Sequence, residues 1–239
     1  MCAAMTGSLP PAPPTSSLQV PASTFDLIVS DTPLFLRDIG TALLVPSVAA
    51  LFDWQLNQAF HDLREVVLYR EYYHYKEYAP PAAELDHFNV KSYYLRYLAL
   101  TIPFQNRTPV SDKQEACRIA LLIFWNANYL AMQPKFALFR RLTIQLKAAL
   151  EASDLQRFWD PHFELLMWVL FLGAHISAGQ RERPWFAMNL ARGARSLKLD
   201  NWADVRTMLL RYFYIDHIYQ RSFEEAWQEA RMLMEMLGG

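Results

Sequence analysis

The sequence predicts an all-α fold, a multi-helix bundle of about eight to ten helices packed around one buried helix. Seven glycines in 239 residues and a hydrophobic content of 53% favour helices over turn-rich β architecture. The stretch from Leu165 to Leu172 has no polar interruption, and a helix that is apolar on every side is buried on every side. Apolar residues elsewhere recur at helical spacing, and no segment alternates convincingly as a strand does.

The N-terminal residues differ in composition from the rest. Residues 1–24 are rich in Pro, Ala, Ser and Thr and cannot bury enough apolar surface to offset chain entropy, so we expect a disordered tail. Residues 25–239 are then assigned to an all-α domain. A polar stretch at 104–110, between Pro103 and Pro109, allows a subdivision there, and an uninterrupted domain fits the pattern equally well.

Prolines set the predicted helix boundaries in the first half of the chain. The predicted helices cover residues 34–44, with a break at Pro46 and a resumption at Ser47, then 54–78 and 84–100. Pro33 follows a capping pair and opens the first helix. Pro80 and Pro81 end the long second helix, because proline disfavours the α conformation in the residue before it.

Capping boxes set the predicted boundaries in the second half. They begin at Ser111, Ser153 and Ser222, each with Gln or Glu three residues later. Asp160-Pro161 predicts the start of the buried helix, with Asp as N-cap and Pro at the first helical position. The predicted helices are 111–132, 135–152, a short one from 153, then 161–176, 184–199, 201–220 and 222–237.

Charge, cysteine content and hydropathy exclude several classes of protein. A formal net charge of −1 indicates neither nucleic-acid affinity nor attraction to a membrane surface. With only Cys2 and Cys117, neither a disulfide framework nor a cysteine-based zinc site is expected, and a reducing compartment is favoured. The longest apolar run, Leu165 to Ile176, is well short of the roughly 20 residues that a membrane span needs.

Two Glu-x-x-His motifs contain residue types that bind metals. Glu71 with His74, and Glu84 with His87, each place both side chains on one helix face, as in di-iron bundles. The two motifs flank Pro80-Pro81 and do not lie on two long antiparallel helices. We therefore predict no metal site. In the alternative of a metal-binding protein, these four residues would be the ligands.

No motif of a known catalytic centre is found. His-Glu-x-x-His, Gly-x-Ser-x-Gly and a glycine-rich phosphate loop are absent, and the nearest approach, His175 to Gly179, lacks the first glycine. Cys117 beside Arg118 lies in an apolar helix, which favours a buried structural thiol. We predict no catalytic, cofactor-binding or metal-binding residue, and no enzymatic activity.

Two patterns of surface residues are compatible with the binding of a partner or ligand without catalysis. Eight of the twelve tyrosines are clustered, and their stripe is either a packing face with hydroxyls in solvent or a partner groove. They are Tyr69, Tyr72, Tyr73, Tyr75, Tyr78, Tyr93, Tyr94 and Tyr97. A basic region opposed only by Glu182 either docks an anion or acidic partner or is simply solvated. It comprises Arg181, Arg183, Arg192, Arg195 and Lys198, of which the last three line one face.

Four segments together resemble the regulatory region of fungal-specific transcription factors. They are Glu115 to Leu122 with its Ala-Cys-Arg, the buried stretch Leu165 to Gly173, Arg183-Pro184-Trp185-Phe186 with the later Leu197 to Val205, and the aromatic stretch Leu209 to Asp216. Each is a packing pattern, so the resemblance rests on their order and spacing. It covers residues 111–227, roughly half of the chain.

The resemblance implies a regulatory or effector domain over residues 25–239. Such a domain would act in the nucleus through protein partners of the transcription machinery. The resemblance leaves open whether it also binds a small-molecule effector and whether it forms a homo-oligomer. The family's six-cysteine zinc cluster, basic region and coiled-coil linker are missing from these residues, so direct nucleic-acid binding is not expected. A fragment of a longer zinc-cluster protein, a paralogue without the DNA reader, and a helical ligand- or metal-binding protein all stay open.

Overall fold

The computed structural model describes residues 32–77, 79–101, 109–129, 136–155, 157 and 159–238. Every regular element in these ranges is an α-helix, so the predicted all-α class is confirmed. The chain forms two compact units, one ending at Pro103 and the other beginning at Phe104. The division falls at the polar stretch where the sequence allowed one, while the tail predicted at 1–24 lies outside the described residues.

The first unit consists of three short helices and one pair of long ones. The helices are α1 (Leu34–Arg37), α2 (Thr41–Leu44), α3 (Pro46–Ala49), α4 (Trp54–Lys76) and α5 (Ala82–Thr101). The single helix predicted over 34–44 is wrong, because Gly40 adopts a left-handed φ of 74° and breaks it. Arg64 of α4 donates to the carbonyls of Ile39 (3.0 Å) and Arg37 (2.6 Å), and these bonds fix the break.

Helices α4 and α5 form an antiparallel pair. Contacts across it join Glu65 to Lys91, Tyr69 to Phe88, and Tyr73 to Glu84, so residue numbers rise along one helix as they fall along the other. The first contact is part of a buried charge cluster, in which Lys91 Nζ also lies 3.3 Å from Asp62. The long helix predicted over 54–78 is therefore correct in type and nearly correct in length.

The second unit is built around one helix. Its elements are α6 (Pro109–Tyr129), α7 (Ala137–Ala152), α8 (Phe163–Ile176), α9 (Arg183–Leu197), α10 (Trp202–Leu210) and α11 (Asp216–Gly238). Helix α8 contacts each of the other five, and every side chain from Leu165 to Leu172 is buried. The prediction of a central helix that is buried on all sides is confirmed for this unit.

Glycines allow α8 and α9 to approach closely. A Cβ at Gly173 would overlap the ring of Phe186, and a Cβ at Gly193 would lie 2.6 Å from Met167 Sδ. Each helix therefore contributes one glycine against a large side chain of the other. This interdigitation matters for function because it fixes the two helices that border the cavity described below.

Helix α8 begins two residues later than predicted. It starts at Phe163, and Asp160-Pro161 belongs to the preceding turn. The reason is the buried Trp159, whose Nε1 donates to Ser153 Oγ at 2.8 Å and whose carbonyl accepts from the amide of His162. The short helix predicted from Ser153 is also wrong, because Ser153 ends α7 and its hydroxyl donates to the Leu150 carbonyl at 2.8 Å.

The other two predicted capping boxes are wrong as well. Helix α6 begins at Pro109, so Ser111 lies inside it, and Ser222 lies inside α11 with its hydroxyl donating to the Tyr219 carbonyl at 3.1 Å. The helix predicted over 201–220 ends at Leu210. Residues 212–215 are buried and bridge α10 to α11, and Trp168 Nε1 donates to the Phe213 carbonyl at 3.0 Å.

Candidate functional site

A cavity of about 260 Å³ lies in the second unit, bordered by α8, α9 and the turn after α7. We call it the α8–α9 cavity. Its apolar wall is formed by Leu155 from the turn and by Phe163 and Leu166 from the first turn of α8. The other wall is a stripe along one face of α9, with residues at positions i, i+3, i+4 and i+7: Asn189, Arg192, Gly193 and Ser196.

Local folding explains how these walls meet. The hydrogen bond from Trp159 to Ser153 folds the 153–162 turn back on itself, which brings Leu155 towards the start of α8. The contact of Gly193 with Met167 places the α9 stripe directly against α8. The cavity is therefore bordered by elements whose positions depend on buried contacts.

Hydrogen bonds within α9 already engage most of the polar groups of the stripe. Asn189 Nδ2 donates to the Trp185 carbonyl at 2.9 Å, and Ser196 Oγ donates to the Arg192 carbonyl at 3.2 Å. Arg192 is different. Its exposed side chain makes no hydrogen bond or ion pair in the part of the chain that the structure describes. The guanidinium is thus the one cationic group that lines the cavity.

The predicted basic region separates into residues with different roles. Arg183 forms a two-pronged ion pair with Glu229 of α11, at 2.8 and 3.0 Å, and Arg181 pairs with Glu182 at 2.8 Å. Arg195 donates to the Met234 carbonyl at 2.5 Å, and Lys198 caps α9 in a left-handed conformation. The three residues predicted to share one face, Arg192, Arg195 and Lys198, therefore differ in their contacts.

The two Glu-x-x-His motifs lie in the α4–α5 pair. Glu71 is buried, and burial raises the pKa of its carboxyl group to about 7, whereas His74 is exposed. Glu84 accepts a hydrogen bond from the Tyr73 hydroxyl at 2.7 Å. Within the described ranges, no three His, Cys, Asp or Glu side chains are placed to share a metal ion.

The clustered tyrosines are divided between core and surface. Tyr69 is buried and its ring stacks on Phe88, while Tyr72 and Tyr73 are half-buried and meet edge to face. Tyr75 and Tyr93 are exposed, and Tyr78 lies outside the described residues. These contacts support the packing-face interpretation for the buried end of the stripe.

Cys117 is a buried thiol, as the apolar helix predicted. Burial raises the pKa of this thiol, and the neighbouring Arg118 pairs instead with Glu115, at 2.6 and 2.7 Å. A thiol that is held protonated is a poor nucleophile. We therefore assign Cys117 to the core.

His175 and Ser222 form a second polar contact, between α8 and α11. His175 Nδ1 lies 2.8 Å from Ser222 Oγ, and the pKa of the imidazole is lowered to about 4 by burial and by the positive charge of Arg183. The serine hydroxyl also lies within hydrogen-bonding distance of the Tyr219 carbonyl, at 3.1 Å, and the direction of its bond with the imidazole depends on the histidine tautomer. An imidazole with a lowered pKa is a weak base, and the contact links two helices.

Two further findings concern the chain as a whole. No helix in the described ranges has both the length and the apolar character that crossing a membrane requires. Comparisons with protein-family models, with curated proteins and with solved structures find no match.

Sequence reasoning found only one residue of the α8–α9 cavity. Arg192 was singled out by its charge, whereas Leu155, Phe163, Asn189 and Ser196 were not. The α9 residues could have been found from their spacing at i, i+3, i+4 and i+7 around a glycine. The turn residue Leu155 had no such signal, because its position depends on the Trp159 contact.

Proposed function

We propose that this chain is a non-catalytic regulatory domain that binds a small effector in the α8–α9 cavity and acts on transcription through protein partners in the nucleus. The observation that carries the effector part is the cavity itself. It is a preformed, partly apolar concavity with one unpaired cation at its edge. Pockets with a few polar groups on an apolar lining are the usual sites for small ligands.

The cavity is well placed for an effector to alter the domain. A ligand in it would contact the 153–162 turn, α8 and α9 at once, and α8 contacts every other helix of the unit. A molecule that binds the folded state stabilises that state by mass action. Binding of a ligand in the cavity would therefore stabilise the second unit as a whole.

The transcriptional part of the proposal rests on the resemblance in sequence. The segments that resemble fungal regulatory regions, between Glu115 and Asp216, all lie in the second unit and include most of its central helix. Catalysis is left out because Cys117 is held protonated in the core and because His175, whose pKa is lowered, would be a weak base for Ser222.

The alternative is a helical protein that binds a ligand without any role in transcription. The same cavity favours it, since nothing in the cavity is specific to gene regulation. The metal-binding form of this alternative, with Glu71, His74, Glu84 and His87, has less support because His74 is exposed while Glu84 is engaged by Tyr73.

A tethering experiment tests the proposal. The full chain is fused to an unrelated DNA-binding domain, and transcription of a reporter with the matching operator is measured in fungal cells. We expect the fusion to change reporter output relative to the DNA-binding domain alone. We also expect Ser196→Phe, which fills the cavity, to change that output further, because the effector can no longer bind.

Thr207→Phe is the matched control. Thr207 is also exposed on a helix, and its hydroxyl donates to the carbonyl four residues earlier, as that of Ser196 does. This variant should behave like the unmodified fusion. A fusion with no effect on the reporter would refute the transcriptional role, and equal effects of the two phenylalanine variants would refute the role of the cavity.

A further inference from the structure

We infer that the ligand of the α8–α9 cavity is a small carboxylate with an apolar body, and that Arg192 binds its carboxylate group. This inference rests on the proposed function and names the class of effector for the same site. Three properties of the cavity carry it: the chemistry of its two walls, the state of Arg192, and the volume.

The two walls differ in polarity. Leu155, Phe163 and Leu166 offer hydrocarbon on one side, while the α9 stripe carries every polar side chain of the lining. A complementary ligand therefore has one apolar face or ring and one polar end. The polar end must lie against α9.

The polar end is anionic because of Arg192. Among the described residues no Asp or Glu lines the cavity to neutralise this guanidinium, and the amide of Asn189 and the hydroxyl of Ser196 already donate to the backbone of α9. Arginine presents a planar fork of donors that matches a carboxylate in a two-pronged geometry. Of the other three arginines of the region, Arg181 and Arg183 already have carboxylate partners within the protein, and Arg195 donates to the Met234 carbonyl.

The volume limits the size of the ligand. About 260 Å³ lies just below the range of roughly 300–1,000 Å³ that is typical of drug-sized ligands. A single aromatic ring or a short alkyl chain with one carboxylate fits this space. A dinucleotide or a long-chain lipid does not.

Phenylacetate and its neutral amide, phenylacetamide, are suitable probes because they share the apolar body and differ in charge. We would titrate each into the full chain labelled at leucine methyl groups and follow the resonances of Leu155 and Leu166. Phenylacetate should shift both resonances, and its affinity should be at least about tenfold higher than that of the amide. Arg192→Gln should reduce its affinity to that of the amide.

Arg195→Gln is the matched control on the same helix, because Arg195 bonds to Met234 and does not line the cavity. It should leave the affinity for phenylacetate within about twofold of the original. Equal losses in both variants would overturn the assignment to Arg192. Inorganic phosphate, an anion without an apolar body, should bind at least about tenfold more weakly than phenylacetate; equal binding would overturn the requirement for that body.

The remaining outcomes separate this inference from the proposed function. If the acid and the amide bind the cavity equally, the inference of an anion is wrong and the cavity still binds ligands. If phenylacetate binds as expected and the tethered fusion leaves the reporter unchanged, the inference stands and the transcriptional role is wrong. If neither probe shifts Leu155 or Leu166, the ligand class inferred here is wrong whatever the reporter shows.

Discussion

The central helix α8 and the α4–α5 pair bury different kinds of side chain. Along α8, every residue from Leu165 to Ala174 is buried and none of them is charged. The α4–α5 pair instead buries Asp62, Glu71 and Lys91. Close packing of apolar side chains is thus the main source of stability along this part of α8, whereas the α4–α5 pair adds buried charged groups to its apolar core. Volume changes should therefore affect α8 most, and changes of charge or pH should affect α4–α5 most.

The largest effect is expected where α8 meets α9. Phe186 is fully buried against Gly173, so Phe186→Ala should lower the free energy of unfolding by about 3–5 kcal/mol through lost burial and a new cavity. Urea denaturation followed by circular dichroism measures it. A loss below about 1 kcal/mol would mean that close packing does not determine stability here.

A double-mutant cycle sharpens this test. Gly173→Ala alone should cost about 1–3 kcal/mol, because its Cβ would overlap the Phe186 ring. In the Phe186→Ala background the same change should cost nothing or stabilise the protein, since the space is free and Ala is the better helix former. Additive effects would contradict the interdigitation of the two helices.

The next largest effect concerns the buried charges of α4 and α5. Lys91→Met leaves the carboxylates of Asp62 and Glu65 without their cation, so we expect a loss of about 2–3 kcal/mol, below the upper range for buried pairs because Glu65 is partly exposed. Adding Asp62→Asn should recover part of it. Arg221→Met, which removes an exposed pair with Glu225, should cause no measurable loss in the same denaturation experiment.

The same contrast explains how far sequence alone could predict this molecule. Helix α8 and the long helix α4 were predicted because apolar runs and periodicity are local properties of the chain. The caps at Ser111, Ser153 and Ser222 were mispredicted because Ser153 and Ser222 donate instead to the carbonyl three residues earlier, and because the helix that contains Ser111 begins at Pro109. The cavity depends on tertiary contacts, and only the charge of Arg192 was visible in the sequence.

The stability of α4 is expected to fall as the pH rises. The pKa of Glu71 is raised from 4.5 to about 7 by burial, so the folded state takes up a proton that the unfolded chain releases above pH 4.5. The stabilisation from this proton is complete below pH 4.5 and is lost as the pH rises through about 7, with a slope of at most about 1.4 kcal/mol per pH unit. Hydrogen-exchange protection factors of α4 amides should fall between pH 5 and 8, and Glu71→Gln should flatten the slope.

The stability of α8 is expected to fall as the pH is lowered, which is the opposite dependence. The pKa of His175 is lowered from 6.5 to about 4 by burial and by Arg183, so the folded state excludes a proton that the unfolded chain binds. Its stabilisation is complete above pH 6.5 and is lost as the pH falls towards 4. Protection factors of α8 amides should decrease over that interval. His175→Asn should remove the decrease, and exposed His217→Gln should not; slopes of the same sign in α4 and α8 would refute the contrast.

The smallest effect tests whether the contrast extends to the ends of the helices. Asp53 Oδ1 accepts from the Leu56 amide at 2.8 Å at the start of α4, and Asn201 Oδ1 accepts from the Asp204 amide at 3.0 Å at the start of α10. Each satisfies one of the amides that a helix start leaves unpaired, so Asp53→Ala and Asn201→Ala should each cost about 1 kcal/mol. Because the two caps make the same bond, their costs should agree in urea denaturation. A difference above about 1 kcal/mol would show that the two regions differ in their caps as well as in their interiors.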